Sequence, residues 1–237
     1  MHYSDVLKVK KNVSDFRSTN GLSSKEPVDL YALLRKLDIL TLFKPLSDSI
    51  SGIVCRQADK SMFMLINSNK SVGRQHFTIA HELYHLFYDE TFDSLLLEKN
   101  LKGTEENKAD CFATHLIMPE EGILELIPEL EMSKNSITPI TLLKIESSYK
   151  CSRSALLYRL KELKLVDQTF INNHKVNLEY SAIKNGYSPD LYKSGNENKI
   201  IGDYIPLVNN LYDNDKISES HYETLLSDIG MGDLVDF

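Results

Sequence analysis

The residues whose types and spacing could do chemistry are His81-Glu82-Leu83-Tyr84-His85. They sit inside an apolar helical pattern over 71–88 that includes Phe77, Ile79, Ala80, Leu83, Leu86 and Phe87. Residues i and i+4 of an α-helix lie about 40° apart around the axis and one turn apart along it, so His81 and His85 can reach one metal ion from the same face. Glu82, about 60° from His85 around the axis, stands beside the imidazoles. There it can take a proton from an attacking water and pass it to a leaving amine. Donors of this kind suit zinc, one ion per chain, with Mn2+ or another divalent metal as the alternative.

A catalytic zinc takes three protein ligands, so a third donor is needed from another element. Glu106 and Asp110 lie four apart on a helix expected after Thr104, on one face. Glu106 is the preferred ligand. Asp110, behind it, can accept the outer N–H of a ligand histidine and fix its tautomer. Glu105 competes for the ligand role, but it lies about 100° round the helix from Glu106 and reads more readily as a solvated first-turn acid.

The elements that must position these groups follow from periodicity. Leu30, Leu33, Leu34 and Leu37 form an i, i+3, i+4, i+7 stripe after Pro27. Residues 40–43, 52–56 and 62–67 are short and rich in apolar and β-branched types, the last two separated by the polar turn Ala58-Asp59-Lys60. They read as a small sheet with a hairpin. Residues 1–26 read as polar, with a short helix before Gly21. Thr138-Pro139 is an N-cap followed by proline at the first helical position, opening a helix to about 150. Cys151-Ser152 turns the chain into a second helix over 153–164. Residues 186–198, with two glycines, a proline and several Ser and Asn, read as a linker, followed by helices at 204–212 and 218–229. The expected class is α+β: a small antiparallel sheet packed with helices carrying the H-E-x-x-H site, then a helix-turn-helix-like segment and a helical tail. The expected units are 1–130, 131–167 and 168–237.

The 237 residues are 42% hydrophobic and 26% charged, which excludes a disordered, collagenous or coiled-coil chain. A formal charge of −7 disfavours non-specific binding to polyanions. Cys55, Cys111 and Cys151 are too few and too scattered for a disulfide framework. The N-terminal residues carry no apolar leader, and no run of 18 apolar residues occurs. The expectation is a cytoplasmic protein that does not enter a membrane.

The run Arg74-x-His76-Phe77-Thr78-Ile79-Ala80-His81-Glu82-Leu83-Tyr84-His85 resembles the active helix of the ImmA/IrrE family of metallopeptidases. So does Glu106-Asn107-Lys108-Ala109-Asp110-Cys111-Phe112-Ala113, followed by Leu116-Ile117-Met118-Pro119. The resemblance runs from about 28 to about 166. It implies zinc on His81, His85 and Glu106, with Glu82 as the base. One departure stands out: the family usually has glycine after H-E-L, where this chain has Tyr84. Tyr84 and Tyr88 lie near the His81 face, where either phenol could donate to an oxyanion or touch substrate, although packing is the commoner use of half-buried tyrosine.

The resemblance further implies a limited cut in a protein substrate, a helix-turn-helix repressor or an antitoxin, that relieves repression in a mobile-element or stress response. The rival reading is a DNA- or partner-binding regulator with a structural metal, using the helix pair 138–165 and its basic residues. In either case Arg153, Arg159 and Lys161 are the candidate docking residues.

Overall fold

A computed structural model describes residues 1–90, 95–96, 103–133 and 136–231. The N-terminal stretch is a longer helix than its polar composition suggests. It is α1, Tyr3–Thr19, and Val9, Val13 and Phe16 form its buried stripe. Burial of side chains of this size contributes about 1.5–3 kcal/mol each, enough to hold a helix whose remaining positions face water. Arg17 anchors its end: the buried guanidinium donates to the carbonyls of Leu116, Ser23 and Glu26. After α2, Leu30–Lys36, capped by the Asp29 carboxylate on the N–H groups of Tyr31 and Ala32, the chain enters the sheet.

Strands β1 (Ile39–Lys44), β2 (Gly52–Arg56), β3 (Met62–Asn67), β4 (Leu95–Leu96) and β5 (Ile200–Ile201) form one sheet in the order β4-β2-β3-β1-β5. The hairpin of β2 and β3 is present, Gly52 opposite Ile66 and Arg56 opposite Met62. The α+β class is as expected, but the sheet is mixed. β1 and β3 run parallel, from Ile39 opposite Met62 to Lys44 opposite Asn67. The hairpin occupies one side of β3, so β1 takes the other, and two successive chain reversals leave β1 and β3 pointing the same way.

Across the sheet lies α3, Val72–Tyr88, buried on most sides, with Ile79, Ala80 and Leu83 fully inaccessible. It packs on α4, Thr104–Ile117, which in turn packs on α1. Gly103, not Thr104, is the N-cap of α4, so that helix starts one residue earlier than its sequence suggests. Short helices α5 (Glu120–Leu126) and α6 (Glu129–Ser133) lead to α7, Pro139–Tyr149, and α8, Arg153–Glu162. The Thr138 hydroxyl accepts from the Thr141 N–H, so the cap and the proline open α7 as expected. Leu142, Ile145, Leu156 and Leu160 enter the same hydrophobic core as α1, α3 and the sheet.

Helices α9 (Gln168–His174) and α10 (Leu178–Lys184) follow. The stretch 186–198 is fastened to the fold and is not a free linker. Gln75 on α3 donates to the Gly195 carbonyl, Asn196 donates to Gln75 and to the Tyr31 hydroxyl, and the Val72 N–H meets the Lys193 carbonyl. β5 then pairs antiparallel with β1. The closing helices α11 (Tyr204–Asp213) and α12 (Glu219–Ser227) form a smaller cluster around Val208, Leu226 and Ile229, packed on Leu42 and Ile200. Among the described residues, no helix is long and apolar enough to cross a membrane.

Candidate metal centre

The helical spacing brings the two imidazoles of α3 together: His81 Nε2 and His85 Nε2 are 3.2 Å apart. The first turn of α4 brings Glu106 against both, with Oε2 3.2 Å from His81 Nε2 and Oε1 3.3 Å from His85 Nε2. These three residues each offer a donor atom within 4.8 Å of the others. The 3.2 Å between the two imidazole nitrogens is close to the roughly 3.3 Å between neighbouring ligands of a tetrahedral ion with bonds of about 2.0–2.1 Å, and the two rings face different oxygens of the Glu106 carboxylate.

The outer nitrogens settle which atoms point inward. His81 Nδ1 is 2.9 Å from Asp110 Oδ1, and His85 Nδ1 is 2.8 Å from Asp89 Oδ2. A carboxylate that accepts from Nδ1–H keeps the ring proton on Nδ1 and leaves the Nε2 lone pair for a metal. Asp89 is absent from the sequence reading. The signal was available, because it stands one turn after His85 at the end of α3.

Charge also fits a dication. Burial alone would favour neutral His81, but Asp110 and Glu106 outweigh it and raise the imidazole to about 10. His85 is raised in the same sense, with burial again opposed by Glu106 and Asp89. The two imidazoles hold the Glu106 carboxyl down at about 2. Glu82, 3% exposed, adds its negative charge to both histidines. Four carboxylates, Glu82, Asp89, Glu106 and Asp110, thus surround two imidazoles, a surplus of negative charge that a divalent cation offsets. The donor set and its spacing both suit zinc.

Several other residues singled out in the sequence sit elsewhere. Tyr84 is buried, its ring 5.8 Å from Phe112 on α4 and its hydroxyl donating to Glu105 Oε2 at 2.8 Å. Burial together with that acidic partner pushes its phenol well above the ordinary tyrosine range. Glu105 also pairs with Lys108, so it is a structural acceptor and not a solvated acid or rival ligand. Tyr88 donates to the Asn12 carbonyl on α1 and packs on Phe16 and Phe112. Both phenols therefore tie helices together, Tyr84 binding α3 to α4 and Tyr88 binding α3 to α1.

The basic residues of α8 are corrected likewise. Arg153 is 2% exposed and pairs with Glu146, which also accepts from Tyr192. Arg159 is 1% exposed and donates to the Met118 carbonyl, His115 and Glu162. An internal guanidinium cannot dock a partner or a phosphate. Of the three, only Lys161 is exposed, and it donates to Gln168. The reading of α7–α8 as a DNA-contacting pair loses its main contacts.

A groove of about 550 Å³, with Arg74, Phe77, Thr114, Ala155 and Tyr158 in its walls, meets the centre only at Asp110; His81, Glu82, His85 and Glu106 do not line it. It joins α3, α4 and α8.

The family model Peptidase_M78, the IrrE N-terminal-like domain, matches residues 34–161. That span contains His81, Glu82, His85, Asp89, Glu106 and Asp110. The chain is also similar to the Metallopeptidase ImmA of Bacillus subtilis (strain 168), 36% identical over 77 residues. The match covers 31% of this chain and 46% of that relative, so the chain spans less than half the length of the curated relative it matches.

Proposed function

The chain belongs to the Peptidase_M78 (IrrE N-terminal-like) family of metallopeptidases, and from that premise we propose that it is a zinc-dependent endopeptidase making a limited cut in a regulatory protein, a helix-turn-helix repressor or an antitoxin. The observation that carries the reading is the cluster of His81, His85 and Glu106, whose donor atoms lie within 4.8 Å of one another, with Glu82 next along the same helix.

His81, His85 and Glu106 would hold the ion. Zinc in such a site supplies Lewis acidity, polarising a peptide carbonyl and acidifying water. The remaining work falls to the chain's own groups. Asp110 and Asp89 retain the Nδ1 protons of His81 and His85, so the rings neither flip nor lose their tautomers. The Glu82 carboxylate accepts the proton of the attacking water and returns it to the departing amine nitrogen. Its burial keeps competing solvent away and strengthens its field at the reacting atoms. A cytoplasmic setting belongs to the same reading and is in keeping with three cysteines outside any disulfide.

The test is incubation of the zinc-loaded protein with the repressor encoded beside its gene. A single cut that disappears with Glu82→Gln is expected. No cut, or the same cut by the variant, rejects the reading.

A further inference from the structure

Gly52 opens β2 and is buried against α3. Its backbone lies outside the left-handed region, where the glycines of positive φ among the described residues are Gly21, Gly186, Gly202 and Gly230. Backbone freedom therefore does not explain a glycine here; alanine adopts a strand conformation without strain. Space does explain it. A Cβ at this position would stand 2.7 Å from Thr78 Cγ2, 2.9 Å from Glu82 Oε1 and 3.2 Å from Glu82 Cγ. Carbon contacts settle at about 3.5–4.0 Å. Two of these three nearest atoms belong to Glu82.

From this we infer that Gly52 is a positioning residue for the general base: by carrying no side chain, it lets the Glu82 carboxylate stand between α3 and the start of β2, beside His81 and His85. The inference rests on the role proposed for Glu82. Thr78 lies one turn before Glu82 on α3, and together they form the wall that faces β2.

The strand cannot easily retreat from an added methyl. Gly52 is locked in the ladder opposite Ile66. The Asn67 N–H donates to the Ser51 carbonyl at 2.9 Å. The Asn67 side chain donates to the carbonyls of Ser47 and Ile50 at 2.9 and 2.7 Å and accepts from the Leu46 N–H at 3.0 Å, which pins the loop entering β2. The softest part of the contact is the end of the Glu82 side chain, so a methyl at position 52 moves the carboxylate.

The experiment compares Gly52→Ala, Gly52→Ala/Thr78→Ser and Glu82→Gln, singly and in combination. The assay uses a quenched fluorescent peptide that the wild-type protein selects from a mixed library, alongside zinc content and thermal midpoint. Gly52→Ala should lower kcat about 10- to 100-fold, the scale of a 1 Å misplacement of a reacting group. KM and one zinc per chain should be retained. Thr78→Ser removes the nearest methyl, so in combination it should restore the thermal midpoint while kcat stays low. Adding Glu82→Gln to Gly52→Ala should cost far less than Glu82→Gln alone, because the base is already displaced. A crystal structure of Gly52→Ala should show the Glu82 carboxylate moved. Wild-type kcat in the folded Gly52→Ala protein, additive losses, or a kcat loss equal to the fraction lacking zinc overturns the inference. If Glu82→Gln alone leaves kcat intact, the base assignment itself has failed. If Glu82→Gln abolishes turnover and Gly52→Ala does not lower kcat, only the role of Gly52 has failed.

Discussion

The Asp89 carboxylate accepts from His85 Nδ1 at 2.8 Å, with both side chains inaccessible to solvent and only one helical turn between them. His81 has the same kind of partner, but its acceptor, Asp110, comes from the neighbouring helix and is 62% exposed. The two imidazoles are therefore held by carboxylates of similar geometry and very different solvation.

That difference sets a graded outcome. Asp89→Asn and Asp110→Asn should each weaken zinc binding or turnover, within the roughly 10- to 100-fold range of changes to groups that orient a metal ligand. Asp89→Asn should be the larger, because an unscreened buried carboxylate polarises its imidazole more strongly than an exposed one. Competition with a chelating dye measures the affinities. Equal effects would mean that solvent exposure at Asp110 does not matter.

Loss of a primary donor should be more severe. Purified protein should carry about one zinc per chain, and His81→Ala, His85→Ala or Glu106→Ala should lose it, since two remaining donors hold zinc poorly. Elemental analysis reads this directly. Full retention by His85→Ala would remove that residue from the centre.

Glu82→Gln keeps the shape of the side chain and removes its basicity. The metal should remain at wild-type stoichiometry while cleavage falls by about 10²- to 10⁴-fold, the usual contribution of a general base. Undiminished hydrolysis would place the base elsewhere.

Acid should weaken the contact between α8 and α4. Burial pushes the Glu162 carboxyl up, but His115 at 3.3 Å and Arg159 at 2.8 Å outweigh this and hold it down at about 2. A carboxyl depressed in the folded state contributes stability that is fully present above its unfolded value of 4.5 and is lost as pH falls toward 2. Urea unfolding at pH 5 and pH 3 should show a smaller drop for Glu162→Gln than for wild type. An unchanged drop would assign the acid sensitivity to other groups.

The tail offers a test of specificity. Ile200 and Ile201 belong to the sheet, so a fair truncation ends the chain at Asp203 and removes α11 and α12. Leu207 and Leu211 on α11 remain exposed, and remote contacts of this kind can supply much of the binding energy used in turnover. The truncation should slow cleavage of the repressor far more than cleavage of a short peptide spanning the same bond. Equal slowing would show that the tail only supports folding.

What the sequence by itself determined is local. The i, i+4 spacing puts His81 and His85 on one face whatever surrounds them, because helix geometry alone sets the angle. The hairpin of β2 and β3 and the Thr138-Pro139 start of α7 are legible for the same reason: turn and cap chemistry act between neighbours. Asp89 was equally local, one turn after His85, and could have been found by extending the spacing rule. The tertiary structure decided everything that depends on which element lies opposite. Glu105 and Glu106 are adjacent in the chain, and only the seating of α4 on α3 turns one toward Tyr84 and the other toward the imidazoles. Arg153 and Arg159 look like a basic surface until Glu146, His115 and Glu162 are packed against them. β5 completes the sheet beside β1 from far along the chain, and the space that Gly52 leaves for Glu82 exists only once β2 lies against α3. Such pairings are set by burial and shape between distant segments, which no local periodicity encodes.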